Sequence, residues 1–390
     1  MTTLSRSTKL GLAPEATQGT YVVPAVSVPF NTAKNVNEIT PNRDESVRAN
    51  DAVLQGLVQG PWITTWDLDV NFYSDLAGHL LRGMIGPDTV TPGVSTTLAA
   101  NCLAGATSIQ LTASVPANSI IQISDAAGAN TEWVQIGTVT GSGPYTAAIT
   151  TPASGTRYAH TATGGSVLSQ ATHVFKQNRV AGVPWKSYSF TTDDGIEQLG
   201  WPGCVMSELA IKIDPAGLIT FAPKYTGWPS APQSTFSYAP STVQPSPGWG
   251  WTVTNGGASS TRGLTFDLTL KRAIEAIHAS NGSQGPREVF PGALESDGTY
   301  KAIFENTSDV DLFRQYLQMP TVHTVTKPVA IGGESIAITM SSSGYTTAER
   351  DLASQYIQLT QSLSGIANVT DAAAGGVVQV TLKNYVQTAY

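Results

Sequence analysis

Charge is what this sequence most lacks. Lys, Arg, Asp and Glu make up only 13% of its 390 residues, roughly half the share usual in soluble proteins. A single copy has little charged surface to keep it apart from others, so much of that surface is expected to meet further copies. The scarcity also excludes a function class. No Lys/Arg cluster is present to displace counterions from phosphates, and the net charge of -7 argues against a general nucleic-acid binder. Cysteine is nearly absent: Cys102 and Cys204 lie far apart, so no disulfide framework organises the chain and buried free thiols are expected. No apolar run reaches the length of a membrane span, and Met1–Leu12 has no export-type apolar stretch. No membrane partner is expected, and the product is expected to stay where it is made.

The motifs of catalysis are missing too. No Gly-Lys-Ser/Thr phosphate loop, His-Glu-x-x-His, Gly-x-Ser-x-Gly elbow or Cys-x-x-Cys occurs, and each of these corresponds to a geometry its chemistry requires. The five histidines have no metal-ligand spacing, so neither a metal nor another cofactor is expected, and the chain reads as a non-enzyme. Two features offer alternatives. Asp67 and Asp69 share one strand face and resemble the carboxylate pair of a glycosidase, although with Asn71 they also suit a polar face turned to solvent or a channel. Trp228, Phe236, Tyr238, Trp249 and Trp251 suit either carbohydrate binding, as in a cell-surface β protein, or packing at an interface.

What is abundant is Gly, Pro, Ser and Thr, which with short alternating segments predicts a mainly β protein. Its size suggests two or three domains. Residues 1–30 read as an extended arm, and 42–60 as a long charged loop. In Thr64–Met84, Trp66, Leu68, Val70 and Phe72 alternate as a strand, and Leu76, Leu80, Leu81 and Met84 then mark a helix that can start at Ser74 and stops by Gly86-Pro87. Gly298–Met319 repeats the plan: Tyr300, Ala302 and Phe304 precede a helix expected over Ser308–Leu317, with Leu312, Tyr316 and Leu317 matching Leu76, Leu80 and Leu81. The echo predicts a duplicated unit. Residues 95–170 are nearly chargeless, with short strands between turn clusters and Gly/Pro ends, and read as an inserted small all-β module. The domain plan is therefore a first unit at 1–94 and 171–227, the insert at 95–170, a linker at 228–248 and a second unit at 249–390.

Several segments resemble the tail tube proteins, or major tail proteins, of long-tailed bacteriophages. Leu10 to Pro24 holds Gly11, Glu15, Gly19 and Thr20 in the arm pattern Gly-x-x-x-Glu-x-x-x-Gly-Thr, and the charged loop Asn42–Arg48, the strand and helix at Trp66–Met84, and Gly203–Leu209 also fit. The resemblance implies tail-tube-like β-sandwich units, each with a short flanking helix, whose inner strands form a continuous barrel around a lumen. Subunits would form rings stacked into the tail tube of the virion, assembled in the host cytoplasm and meeting other tail proteins at the tube ends. Double-stranded DNA would pass through transiently and without specificity, and an acidic balance suits such a conduit. The implied inter-ring contacts are Glu15, Asn42, Arg43, Asp44, Glu45 and Arg48, with Asp67, Asp69 and Asn71 on a candidate lumen or polar strand face. Two units per chain imply a trimer with pseudo-sixfold symmetry, one unit a hexamer.

Overall fold

The computed structural model describes residues 4–48, 52–177, 185–233, 236–280, 282–315, 318–367 and 376–390. Tyr316 and Leu317 of the sequence echo lie outside these ranges. Eight antiparallel strands form the sheet that organises the molecule: β1 (Thr32–Ile39), β2 (Trp62–Asn71), β3 (Gln198–Ile213), β4 (Thr220–Gly227), β5 (Gly263–Ile277), β6 (Glu288–Ile303), β7 (Ser335–Asp351) and β8 (Gln358–Gly365). Their spatial order is β1-β2-β4-β3-β5-β6-β8-β7. Each run of four follows one path, in which the second strand leads to a helix and the third and fourth close as a hairpin with the fourth inserted beside the second.

Alternation decides which face is buried. Trp66, Leu68 and Val70 of β2, Leu209 and Ile211 of β3, Tyr225 of β4 and Phe266, Leu268 and Leu270 of β5 all turn inward and lie in one cluster with α1 (Ala77–Met84). That face packs on a second layer, which makes the molecule a β-sandwich. The second layer includes Lys9–Pro14, Ala171–Lys176, Tyr188–Asp193, Gln318–Thr326 and Gln379–Asn384. β3 and β7 belong to both layers. The first part of β3 pairs with Tyr188–Asp193, and the first part of β7 with Gln318–Thr326. Each then enters the eight-stranded sheet past an irregularity, at Met206–Glu208 in β3 and at Tyr345–Thr347 in β7. A bulge bends a strand in this way.

α1 begins later than its pattern suggests, whereas the second helix starts at Ser308 as expected. Ser74 does not cap α1: its carbonyl accepts Asn384 Nδ2 at 2.6 Å and its side chain is buried near Glu334. The helix proper starts at Ala77 and ends before Gly86, whose φ of +142° turns the chain away. Arg272 of β5 caps the other end, donating Nε to Met84 O at 2.9 Å, where a cation meets the free carbonyls of a helix C-terminus. α2 spans Ser308–Arg314. α1 packs against β3 and α2 against β7, the corresponding strand of each run.

Three expected boundaries are altered by packing. The described part of 1–30 is not a free arm, because Lys9–Pro14 is a core strand with Leu10, Leu12 and Ala13 buried. In 228–248, Phe236 and Ser246 are buried and Ala231–Pro232 pairs with β3, so the described part of this stretch is fastened down. Ala171–Lys176 pairs with Gln379–Asn384 near the C-terminus, so hydrogen bonding joins the two halves around one continuous core.

Residues 95–170 hold a six-stranded sheet with its own apolar cluster around Ile121, Ile123, Val134, Ile136 and Val167. Its two ends lie side by side, with Ser169 N–H donating to Val94 O at 2.9 Å. Gln170 Nε2 to Gly332 O and Gln387 Nε2 to Ser169 O seat it on the sandwich.

Candidate assembly and lumen surfaces

The outward face of the eight-stranded sheet is largely polar, with Val36 and Ile63 among its few apolar members. Asp67, Asp69 and Asn71 stand on it, because their neighbours Trp66, Leu68 and Val70 are committed to the core. Register then brings distant charges into line. Lys34, Asp67, Lys224, Glu208, Lys271 and Glu295 lie opposite one another across six neighbouring strands, with alternating sign. Lys224 Nζ reaches Glu208 Oε1 at 2.9 Å. That hydrogen bond raises the lysine's pKa above its usual value, and Asp67 acts in the same direction against desolvation. A second row carries Lys212 opposite Asp267, whose carboxyl is raised by burial although Lys212 opposes the shift. Each exposed pair adds at most about 1 kcal/mol, so the rows matter chiefly for the potential they present. A wall of alternating sign offers a passing polyanion no run of cations at which to dwell.

Asp67 is exposed in its row between Lys34 and Lys224, while Asp69 Oδ1 accepts Asn31 Nδ2 at 3.3 Å. Their neighbours are the cations and amides of an open sheet surface. The tryptophans do not gather into one platform either. Trp228 covers Gly19 and Gly203, Trp251 stacks on His323 at 5.9 Å, and Trp249 is 65% exposed.

At one rim, the connection between β1 and β2 extends as a small hairpin in which Asn42–Asp44 pairs with Gly56–Val58. Residues 49–51 of this loop lie outside the described ranges. Arg43 Nε binds Glu45 at 3.0 Å and Arg48 binds Asp44; Ser46 above all holds the Asp44 carboxyl below its usual range. The charges thus pair among themselves, and the apolar side chains are left facing water: Val47, Val53, Leu57 and Val58 are 97, 73, 62 and 63% exposed. The hairpin root is held to the matching β5–β6 connection by Trp62 N–H to Gln284 O at 2.9 Å.

Glu15, expected at a ring-to-ring contact, is instead buried inside the subunit. Its carboxylate accepts the Ser187 and Ser189 hydroxyls and the Gly203 N–H, each at 2.7 Å, and the Gly19 N–H at 2.9 Å. The arm pattern is therefore a lock. Gly19 sits at φ +81° beneath Trp228, where a Cβ would come within 2.1 Å of the ring, and Glu15 satisfies donors that would otherwise be buried unpaired. A lone acid in an apolar arm bracketed by glycines was the available signal.

Sequence patterning does not reveal the rows, since partners such as Lys34 and Lys271 depend on pairing between remote strands. Among the described residues no group of three or more His, Cys, Asp or Glu side chains is placed to hold a metal ion, and no helix is long and apolar enough to cross a membrane. Cys102 and Cys204 are free and buried.

A family model described as phage tail tube protein matches residues 5–331. No curated protein matches the chain.

Proposed function

The chain belongs to the phage tail tube protein family, the structural proteins of the virion tail, and on that premise we propose that it closes into rings whose polar sheet face lines the lumen. The rings stack into the tube through which the genome passes, with other tail proteins at its ends. The observation that carries this reading is the eight-stranded sheet itself, buried on one face and largely polar on the other, with the strand path of its first half repeated in its second. The repeat supports an internal duplication and hence three chains per ring, each supplying two quasi-equivalent units.

Magnitudes favour the same number. At roughly 4.8 Å between strands and a tilt near 37°, three copies bring about 24 strands and a barrel about 45 Å across at the backbone. Six copies would double that to about 90 Å, far wider than a DNA duplex needs. The rim hairpin 42–58 serves stacking, with Asn42, Arg43, Asp44, Glu45 and Arg48 beside the exposed Val47, Leu57 and Val58. The module at 95–170 decorates the outside. Electron microscopy with native mass measurement of purified protein tests this: tubes or rings of three chains are expected. Six chains per ring would remove the duplication, and a persistent monomer at high concentration would remove the ring.

A further inference from the structure

Among the described residues, nothing pairs with either lateral edge of the eight-stranded sheet. Among the described residues β1 pairs only with β2, and the stretch Thr347–Asp351 of β7 pairs only with β8. Every neighbour in the sheet is antiparallel and the strands number eight, so β7 runs opposite to β1, the direction needed for one copy's β7 to continue antiparallel onto another copy's β1. Open edges of this length invite pairing with a further chain.

The molecule already contains one such junction. β3, the last strand of the first run, pairs with β5, the first strand of the second. We infer that β7 of one subunit pairs with β1 of the next in the register of that internal β3–β5 junction, which sets Asp351 opposite the partner's Lys34. The inference rests on the ring reading above and adds to it which edges meet and in what alignment.

The register follows from matching rows. Asn71 at the end of β2 faces Thr220, and Thr220 faces Lys212. Ile303 at the end of β6 faces Gln358, and Gln358 faces Asp351. Lys212 and Asp351 are thus equivalent. Four residues before those two strand ends, Asp67 faces Lys34 and Thr299 faces Asp267, so Lys34 and Asp267 are equivalent. Inside the chain Lys212 stands opposite Asp267. The copied junction brings together the same pair of charges with their signs exchanged. α1 on β3 leaves the internal junction free to form, and α2 holds the same relation to β7.

The core-facing sides of the two junctions differ in a way that fits this assignment. Leu209 and Ile211 meet Leu270 and Leu268 at the internal junction. The equivalent positions are Ala348 and Arg350 on β7, facing the partner's Asn37 and Asn35. An edge that stands in water before assembly must be polar to avoid indiscriminate pairing, and a junction formed during folding is free of that demand.

Paired cysteines test the alignment. Asp351 also accepts Ala353 N–H and the Ser354 hydroxyl in its own turn, so two variants are used: Lys34→Cys with Asp351→Cys, and Asn35→Cys with Arg350→Cys. Lys34→Cys with Glu349→Cys reports a two-residue shift. The native cysteines are buried and contribute little background. Oxidation of assembled protein is expected to convert the first two variants largely into covalent rings and the shifted one far less. Preferential cross-linking of the shifted variant overturns the register. Intact rings with no cross-link in any variant overturn the edge pairing while the ring reading stands. Failure of the unaltered protein to form rings overturns both.

Discussion

At the scale of the residue, buried polar groups decide more than exposed ones. Glu15 shows how a residue type can be read correctly and its partner wrongly: an acid in an apolar arm does bind something, and that something is the subunit's own Ser187, Ser189, Gly19 and Gly203. His323 is the opposite case. It is 1% exposed, both ring nitrogens lack a partner among the described residues, and it stacks on Phe266 with ring centres 3.5 Å apart. Burial lowers its pKa to about 3. The unfolded chain therefore takes up a proton near pH 6.5 that the folded one refuses, so the stability tied to His323 is full above that pH and is lost as pH falls toward 3. Going from pH 7.5 to 4.5, this one group removes roughly 2–3 kcal/mol. His323→Phe keeps the stack and removes the proton, so denaturant unfolding of the variant should lose that much less stability over the interval. An unchanged pH dependence would mean that the ring titrates freely.

At the scale of the element, the rim hairpin shows what the fold does with charge. Its Arg43–Glu45 and Arg48–Asp44 pairs are exposed and local, and each is worth under about 1 kcal/mol. Reversing Arg43 and Arg48 to Glu is expected to weaken ring stacking with the melting temperature nearly unchanged. The apolar side chains beside them have more to gain from a neighbour, at about 1–2 kcal/mol for each one covered. Leu57→Ser with Val58→Ser is therefore expected to suppress stacking more than the charge reversal does, with single rings retained. Sedimentation of assembled protein separates tubes from rings, and full-length tubes from the Leu57/Val58 variant would exclude the hairpin from the contact.

At the scale of the whole molecule, the two runs of four strands share one core, while the segment at 95–170 has its own and leaves the sandwich through adjacent ends at Val94 and Ser169. Replacing 95–170 with a short Gly-Ser link closes a gap that is already closed in space, so its entropic cost is small. The shortened chain should fold and still form tubes, seen as thinner filaments by microscopy. Insoluble product would show that the seat around Gln170, Gln387 and Gly332 supports the sandwich. The proposed assembly would also account for the charge poverty, because a molecule that commits one sheet face, both sheet edges and a rim to other surfaces has little free exterior to solvate.

Composition and short-range periodicity sufficed for what near neighbours govern: the mainly β class, the alternating strands and the strand-to-helix steps near Phe72 and Phe304. These are properties of residues two to four apart, and the sequence determines them directly. The rows joining Lys34 to Glu295, the donors converging on Glu15, the bends that carry β3 and β7 between layers and the open edges of β1 and β7 were settled only by tertiary structure. Each depends on register between segments tens to hundreds of residues apart. A shift of one residue would reverse every face while leaving the local pattern unchanged.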